Sequence, residues 1–355
     1  MRVLVTGASG MLGRAVADTL AARGQDVTVL QRRPSGSAHR EVLGDVADPA
    51  AIQEAVEGQE AVIHLAAKVN VVGAWEDYRL TNIEGTRRLV EAARAGSVQR
   101  FVQVSSPSVA HAGDSLVGAG AGPADPDRAR GHYARSKAAA ELIALAADGA
   151  DLTVTAIRPH LVWGPGDTQL IGRILQRARA GRLPVLGRGT SLVDTTYVTN
   201  AADAIVAALD RADRARGRAL VVTNGEPRPI GELIRDICLA GGAPPPRLRI
   251  PARVAWAAGA TVEGAMALSH VLPGVPPITE PPLTRFLAEQ LSTAHWFDQR
   301  ETRRLLGWAP RVSLDEGLRL LAAATTPDEG LRLLAAATTP DEGLRLLSAA
   351  TTPDQ

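Results

Sequence analysis

The sequence predicts an α/β fold: a doubly wound parallel sheet with a smaller, mostly helical C-terminal lobe. Short apolar runs alternate with helix-period segments through the first half of the chain, the pattern of a parallel sheet covered by helices on both faces. A glycine-rich turn, Gly7-Ala8-Ser9-Gly10-Met11-Leu12-Gly13, directly follows the first apolar run and opens the first helix. Prolines gather late, at 244–246, 273, 276–277 and 281–282, which suits short helices joined by turns. A length of 355 residues fits one large α/β unit with a second lobe. The 45% hydrophobic content and formal charge of +1 exclude a disordered chain. Near balance between 39 basic and 38 acidic residues gives no electrostatic case for nucleic acid. A single cysteine, Cys238, leaves no disulfide framework, and the seven histidines show no metal-binding spacing, so no metal is assigned. The lone thiol and an opening MRVLVTGASG without an apolar signal core make the cytoplasm the expected compartment.

Taken in order, Arg2–Val5 is a short apolar strand stopped by glycine, and Leu12–Ala22 has helical spacing. Asp26–Leu30 reads as the second strand, Glu41–Leu43 as a short third and Ala61–Leu65 as the fourth. Tyr78–Ala95 reads as one long helix and Arg100–Val104 as the fifth strand. The Ala-rich His132–Ala147 is helical, and Leu152–Ile157 is a sixth strand closed by Arg158-Pro159. Residues 168–180 and Ala201–Leu209 read as helices and Leu220–Thr223 as a late strand. Residues 250–272 are apolar but carry Arg253 and Glu263, which favours a buried or groove-lining helix over a spanning one. Peripheral contact with a membrane surface through this stretch is the competing reading. The segment DEGLRLLAAATTP occurs at 315–327 and again at 328–340, with a third copy at 341–353 that differs only at Ser348. Each copy suits one short helix, its prolines forbid a continuous one, and Ser313 with Glu316 offers a capping box to the first.

The glycine loop has the strand–turn–helix context that a dinucleotide pyrophosphate needs. The first glycine permits the tight turn, the second lets backbone N–H groups approach the phosphates, and the third lets helix and strand pack closely. The second strand is followed by Gln31-Arg32-Arg33, where an acidic residue would favour the ribose hydroxyls of NAD. Arginine suits a 2′-phosphate, so NADP(H) is favoured, with NAD(H) as the alternative in which both arginines are solvated loop charges.

Tyr133 and Lys137 are four apart on a predicted helix, so phenol and ammonium share a face. A nearby cation favours phenolate and would lower the tyrosine pKa, making Tyr133 usable as an acid or base nearer neutral pH. Ser105 and Ser106 close the fifth strand, where ligands of an open α/β sheet bind.

Together these residues make the chain resemble an extended short-chain dehydrogenase/reductase of the Rossmann fold. The motifs are TGASGMLG, Gly44-Asp45, HLAA at 64–67, Asn82 with Gly85-Thr86, VSS at 104–106, YARSK, and RPHLVWGPGD at 158–167. The resemblance, which spans about residues 1–314, implies Tyr133 as acid/base, Lys137 as the nicotinamide-ribose ligand and Ser106 as the group polarising the substrate carbonyl. It implies Gly7, Ser9, Gly10, Met11, Leu12 and Gly13 around the pyrophosphate, and Arg32, Arg33, Asp45 and Val46 toward adenosine. Leu65, Ala66, Ala67 and Asn82 would line the cofactor, and Pro159 and His160 would lie beside the nicotinamide. Motifs at 193–204, 280–286 and 295–318 are most similar to the 3β-hydroxysteroid dehydrogenase group, which includes reductases of 2-alkyl-3-oxoalkanoates. That likeness divides the chain into a cofactor domain at 1–167 and 190–226, a substrate lobe at 168–189 and 227–314, and the C-terminal repeats at 315–355.

Trp163 and Tyr197 are candidates to line the substrate cavity, with core packing the equal alternative. Trp256 could form a hydrophobic mouth. His64 reads as a packed core histidine, His160 as either packing or substrate contact, and Arg158 as a loop anchor. The function these residues imply is NAD(P)(H)-dependent interconversion of a secondary alcohol and a ketone on a bulky apolar substrate. A nucleotide-sugar epimerase or dehydratase on the same scaffold is the alternative, and a non-catalytic dinucleotide sensor the third. The apolar second lobe argues against a nucleotide sugar, and the intact Ser106/Tyr133/Lys137 set argues against a sensor. A homodimer is a further expectation.

Overall fold

In the computed structural model the described residues are 1–34, 36–69, 73–111, 113–271, 288–289 and 291–325. The first strand, β1 (Arg2–Thr6), turns at Gly7 into α1 (Met11–Ala22). β2 (Asp26–Gln31), β3 (Arg40–Leu43), α2 (Pro49–Val56) and β4 (Ala61–His64) follow. Next come α3 (Trp75–Tyr78), a π turn over Arg79–Glu84 and α4 (Gly85–Ala95), so the predicted long helix is real but interrupted. β5 (Arg100–Val104), β6 (Leu116–Ala119), α5 (Gly131–Ala146) and β7 (Thr153–Pro159) lead to the short β8 (Val162–Trp163). After α6 (Ile171–Arg179) come β9 (Pro184–Leu186), β10 (Leu192–Val193), β11 (Thr196–Tyr197), α7 (Val198–Asp210), α8 (Ala212–Ala215) and β12 (Ala219–Val222). β13 (Arg228–Pro229), α9 (Ile230–Ala240), β14 (Leu248–Ile250), α10 (Ala252–Val271) and β15 (His295–Phe297) precede helices at Arg300–Leu306 and Leu314–Thr325.

Seven strands form one parallel sheet in the order β12-β7-β5-β4-β1-β2-β3. The order reverses between β1 and β4, so the loops after these strands part and leave a crevice at their carboxyl ends. Both sheet faces are apolar, as parallel strands covered by helices must be. Val3, Val5, Ile63 and Val102 pack with α1 and α7 on one face, whereas Leu4, Val62, Phe101 and Val154 pack with α2 and α4 on the other. A third cluster joins α6, α9, Trp163, Tyr197 and the helix Leu314–Thr325.

The second region is less purely helical than predicted. A four-stranded sheet, β13-β10-β15-β6, borrows β6 from the first half of the chain. Strands of two to four residues leave too little alternation to read in sequence. The sequence reading also passed over α2, although Asp48 caps it through Ala50 N–H and Pro49 starts it. Ser313 Oγ accepts from Glu316 N–H at 3.2 Å and so caps the last helix at its predicted start. The second and third repeat copies lie outside the described residues. Among the described residues no helix is long and apolar enough to cross a membrane.

Candidate active site

The glycine loop owes its shape to the absence of side chains. Gly7 has φ +78°, and a Cβ there would stand 2.8 Å from Ala66 N. A Cβ on Gly13 would stand 2.2 Å from Gly7 O, which locks the start of α1 against the turn. Gly10 occupies the N-cap without a side-chain partner, so the first N–H groups of α1 remain for an anion. These residues border a cavity of about 1290 Å³ that also reaches Ser106, Tyr133, α6 and α9. The volume exceeds that of a typical single-ligand pocket and suits a dinucleotide beside a substrate. A phosphate-sized cradle, open backbone donors and a long cleft together fit the implied cofactor.

Ser9, Met11, Leu12, Asp45, Val46, Leu65, Ala66 and Ala67 all border the cavity. Arg32 does too, with its side chain 78% exposed and its guanidinium 4.0 Å from the Asp45 carboxylate. Arg33 does not border it, so only one of the paired arginines is placed to meet a cofactor. Gln31, which does, donates to Glu41 at 2.7 Å. Asn82 is not a lining residue. From the π turn its side chain accepts from Lys68 N–H at 2.7 Å and donates to Ser136 Oγ at 2.9 Å, so it braces the loop after β4 against α5.

α5 carries Tyr133 and Lys137 onto the cavity wall. Lys137 Nζ donates to Val104 O at 2.6 Å, at the end of β5, and burial brings its pKa down to about 8 against the raising influence of Glu141. Burial also raises the Tyr133 pKa, opposed by a hydrogen bond with Ser106. The expected lowering by Lys137 is therefore corrected: burial leads, and the phenol is held protonated at neutral pH. Ser106 caps the short 3₁₀ turn Pro107–Ala110, and its Oγ lies 2.9 Å from Ser108 Oγ. Ser105 also borders the cavity, but its buried hydroxyl has no hydrogen-bond partner among the described residues.

The substrate half is lined by Ile174, Leu183, Ile230, Leu233, Ile234 and Ile237, with His111, His160, His295 and Phe297 nearer the serine loop. His160 Nδ1 lies 2.6 Å from Asp194 O and so donates to it, which leaves Nε2 as an acceptor. Burial depresses His160 to about 4 and His295 to about 3, so both are neutral. Leu161, next to His160, adopts φ +42°, a strained conformation for leucine at the cavity edge. Pro159 borders the cavity as well.

Trp163 borders it only as part of the core: it is fully buried, and its indole N–H donates to Thr195 Oγ1 at 2.9 Å. Tyr197 does not line the cavity; its ring stands edge-on to Trp163 at 5.4 Å, a packing role rather than the substrate contact considered from sequence. Residues 252–264 of α10 do not line the cavity, and Trp256 is 45% exposed with its indole N–H on Glu289. Among the described residues the apolar wall comes from α6 and α9. His64 sits in the core between Thr6 and Thr86 hydroxyls, at 2.7 and 3.0 Å. Arg158 is buried on Glu141 and the carbonyl of Gly122, anchoring the loop before α5. His111, His295 and Phe297 were not found from sequence. β15 meets β6 only in the folded chain, and no spacing links residues so far apart.

Residues 3–223 match the NAD dependent epimerase/dehydratase family. The chain is 41% identical to a 2-alkyl-3-oxoalkanoate reductase of Stenotrophomonas maltophilia over 335 residues, covering 92% of this chain and 99% of that protein. It is 33% identical to a 3 beta-hydroxysteroid dehydrogenase/Delta 5-->4-isomerase of Mycobacterium tuberculosis, covering 89% and 88% respectively. Among solved structures, MoeE5 in complex with UDP-glucose and NAD is 27% identical, with a TM-score of 0.67 over 92% of this chain and 98% of that one. The gox2253 structure, 24% identical with a TM-score of 0.72 over 91% and 97%, shares the fold.

Proposed function

The chain belongs to the NAD dependent epimerase/dehydratase family, and we propose that it is a nicotinamide-dependent reductase of bulky apolar 3-oxo acids or related ketones. The observation that carries this reading is Ser106, Tyr133 and Lys137 meeting at the junction of a dinucleotide cleft and an apolar chamber. The likeness to a 2-alkyl-3-oxoalkanoate reductase supports the substrate class. Burial of α6 and α9 side chains against an alkyl ligand would contribute roughly 25 cal/mol per Å².

When bound, the nicotinamide supplies or accepts the hydride. Ser106 and Tyr133 hold the substrate oxygen, and the Tyr133 phenol donates its proton there as the oxygen gains charge. Burial raises the phenol's pKa, so it carries that proton at neutral pH. Lys137, fixed on Val104 O, keeps a positive charge one helical turn from the phenol.

NADP(H) preference rests on Arg32 alone, now that Arg33 stands off the cavity. Titration of both cofactors tests it: tighter NAD(H) binding that survives Arg32→Ala would end the NADP(H) reading. The substrate class is tested by following nicotinamide absorbance with 2-alkyl-3-hydroxy acids, sterols and nucleotide sugars. A nucleotide-sugar epimerase is the second reading, supported by the likeness to MoeE5. It would turn over a UDP-sugar without net cofactor change, whereas a reductase consumes one reduced nicotinamide per product. Exposed Val254 and Trp256 support peripheral membrane contact through 250–272, which co-sedimentation with lipid vesicles tests.

A further inference from the structure

The cavity holds charge that hydride transfer does not use. Arg173 and Arg177 are one turn apart on α6 and both border the cavity. Each is half-buried, and neither has an ion pair or hydrogen-bond partner for its side chain among the described residues. The acidic groups that border the cavity are already engaged. Asp18 meets His39, and Asp45 accepts from Ala47 N–H. Asp167 caps α6 by accepting from the N–H groups of Gln169, Leu170 and Ile171. Burial, then the neighbouring Arg173 and Arg182, push the Arg177 guanidinium below its ordinary value. Two partly desolvated like charges without a counter-ion are unfavourable, and an anion from outside the chain offsets that cost.

We propose that Arg173 and Arg177 bind the substrate's carboxylate and make the site selective for an acid over its ester. The inference rests on the 3-oxo acid reading above. A guanidinium fork matches a carboxylate in two-point hydrogen bonding, which a neutral ester forfeits. Ile174 lies between the two arginines in sequence and also borders the cavity, as do Ile234 and Ile237 of α9, so one wall offers both charge and apolar surface. The helix is reached from Pro159 and His160 through a loop that itself lines the cavity at Val162, Pro165 and Gln169. The cavity wall thus runs on from Pro159 into α6, where Arg173 is the third residue and Arg177 lies in the last turn.

The test uses the full-length protein to oxidise a 2-alkyl-3-hydroxyalkanoic acid and its methyl ester, with kcat/KM measured for each. The expected result is a fall in the acid-to-ester ratio by roughly 10- to 100-fold in Arg177→Gln and in Arg173→Gln, the range of one or two lost charged hydrogen bonds. Arg177→Lys should recover part of the ratio. Binding of NAD(H) and of UDP is measured on the same proteins, which also shows that each variant folds. An unchanged ratio in both glutamine variants overturns the proposal. So does a loss of NAD(H) or UDP affinity with the ratio intact, which would assign the arginines to a phosphate. A wild-type enzyme that oxidises neither acid nor ester with either cofactor refutes the 3-oxo acid reading itself.

Discussion

Replacing Lys137 with methionine should flatten the alkaline limb of the stability profile while abolishing turnover. Lys137 is 3% exposed, and burial lowers its pKa from the ordinary 10.5 to about 8. A base with a depressed folded-state pKa loses its proton earlier in the native state than in the unfolded chain. Between those two values the unfolded chain binds more protons, so stability rises with pH. The difference of about 2.5 units, at about 1.36 kcal/mol each, bounds the effect near 3 kcal/mol. Linkage gives roughly 1 kcal/mol of gain by pH 9 and roughly 2–3 kcal/mol by pH 10, relative to pH 7. Methionine keeps the length of the stem and removes the titrating group, so the variant lacks this gain whatever its stability at pH 7. Urea denaturation of both proteins at pH 7, 8, 9 and 10 measures it, because other titrating groups cancel in the difference. Parallel profiles for the two proteins would refute the claim that burial holds Lys137 at a depressed pKa.

Tyr133→Phe should lower turnover by about 10²- to 10⁴-fold, the usual contribution of a general acid, with cofactor affinity kept; a residual rate above about a tenth would remove Tyr133 from that role. Gly13→Ala should abolish dinucleotide binding, because its Cβ would stand 2.2 Å from a backbone oxygen that cannot swing aside; isothermal titration checks this. Glu141→Ala should cost about 3–5 kcal/mol in denaturant melts, since it leaves the buried Arg158 guanidinium unpaired. Ending the chain after Pro327 should leave activity and Tm almost unchanged, since Leu318 and Leu321 of the first repeat copy, with Leu314 just before it, already dock in the core.

The sheet was legible because each of its central strands is a short apolar run with a clear stop. β1, β2, β4 and β5 fall within a residue of their expected ends. Elements held by long-range pairing were not legible. β6 and β15 are three or four residues each and are strands only because Leu116 and His295 meet. The π turn at Arg79–Glu84 was equally hidden, since one extra residue in a helical ladder leaves the apolar period almost intact. Asn82 sits in that turn, bonded to Lys68 N–H and Ser136 Oγ, and does not line the cavity.

The site separates two kinds of legibility. Identity and spacing are local, so Gly7, Gly13, Ser106, Tyr133 and Lys137 could be chosen from motifs, and the fold brings their side chains to one cavity. Direction and environment are not local. The four-residue spacing of Tyr133 and Lys137 suggests an ammonium lowering a phenol, but that argument omits how deeply each is buried. In the folded chain the ammonium is turned onto Val104 O and is itself depressed, while burial raises the phenol. Desolvation acts on both groups through the neutral form, so it weakens the cation and the incipient anion together. The same burial that spoils the expected phenolate keeps a proton on Tyr133 for a carbonyl oxygen to take. For the same reason the apolar wall was sought in α10, which is apolar by composition but exposed at Val254 and Trp256. Among the described residues it is supplied by α6 and α9, whose buried faces only packing reveals, and α6 carries with that wall the two arginines, without partners among those residues, that composition alone would count as solvated charge.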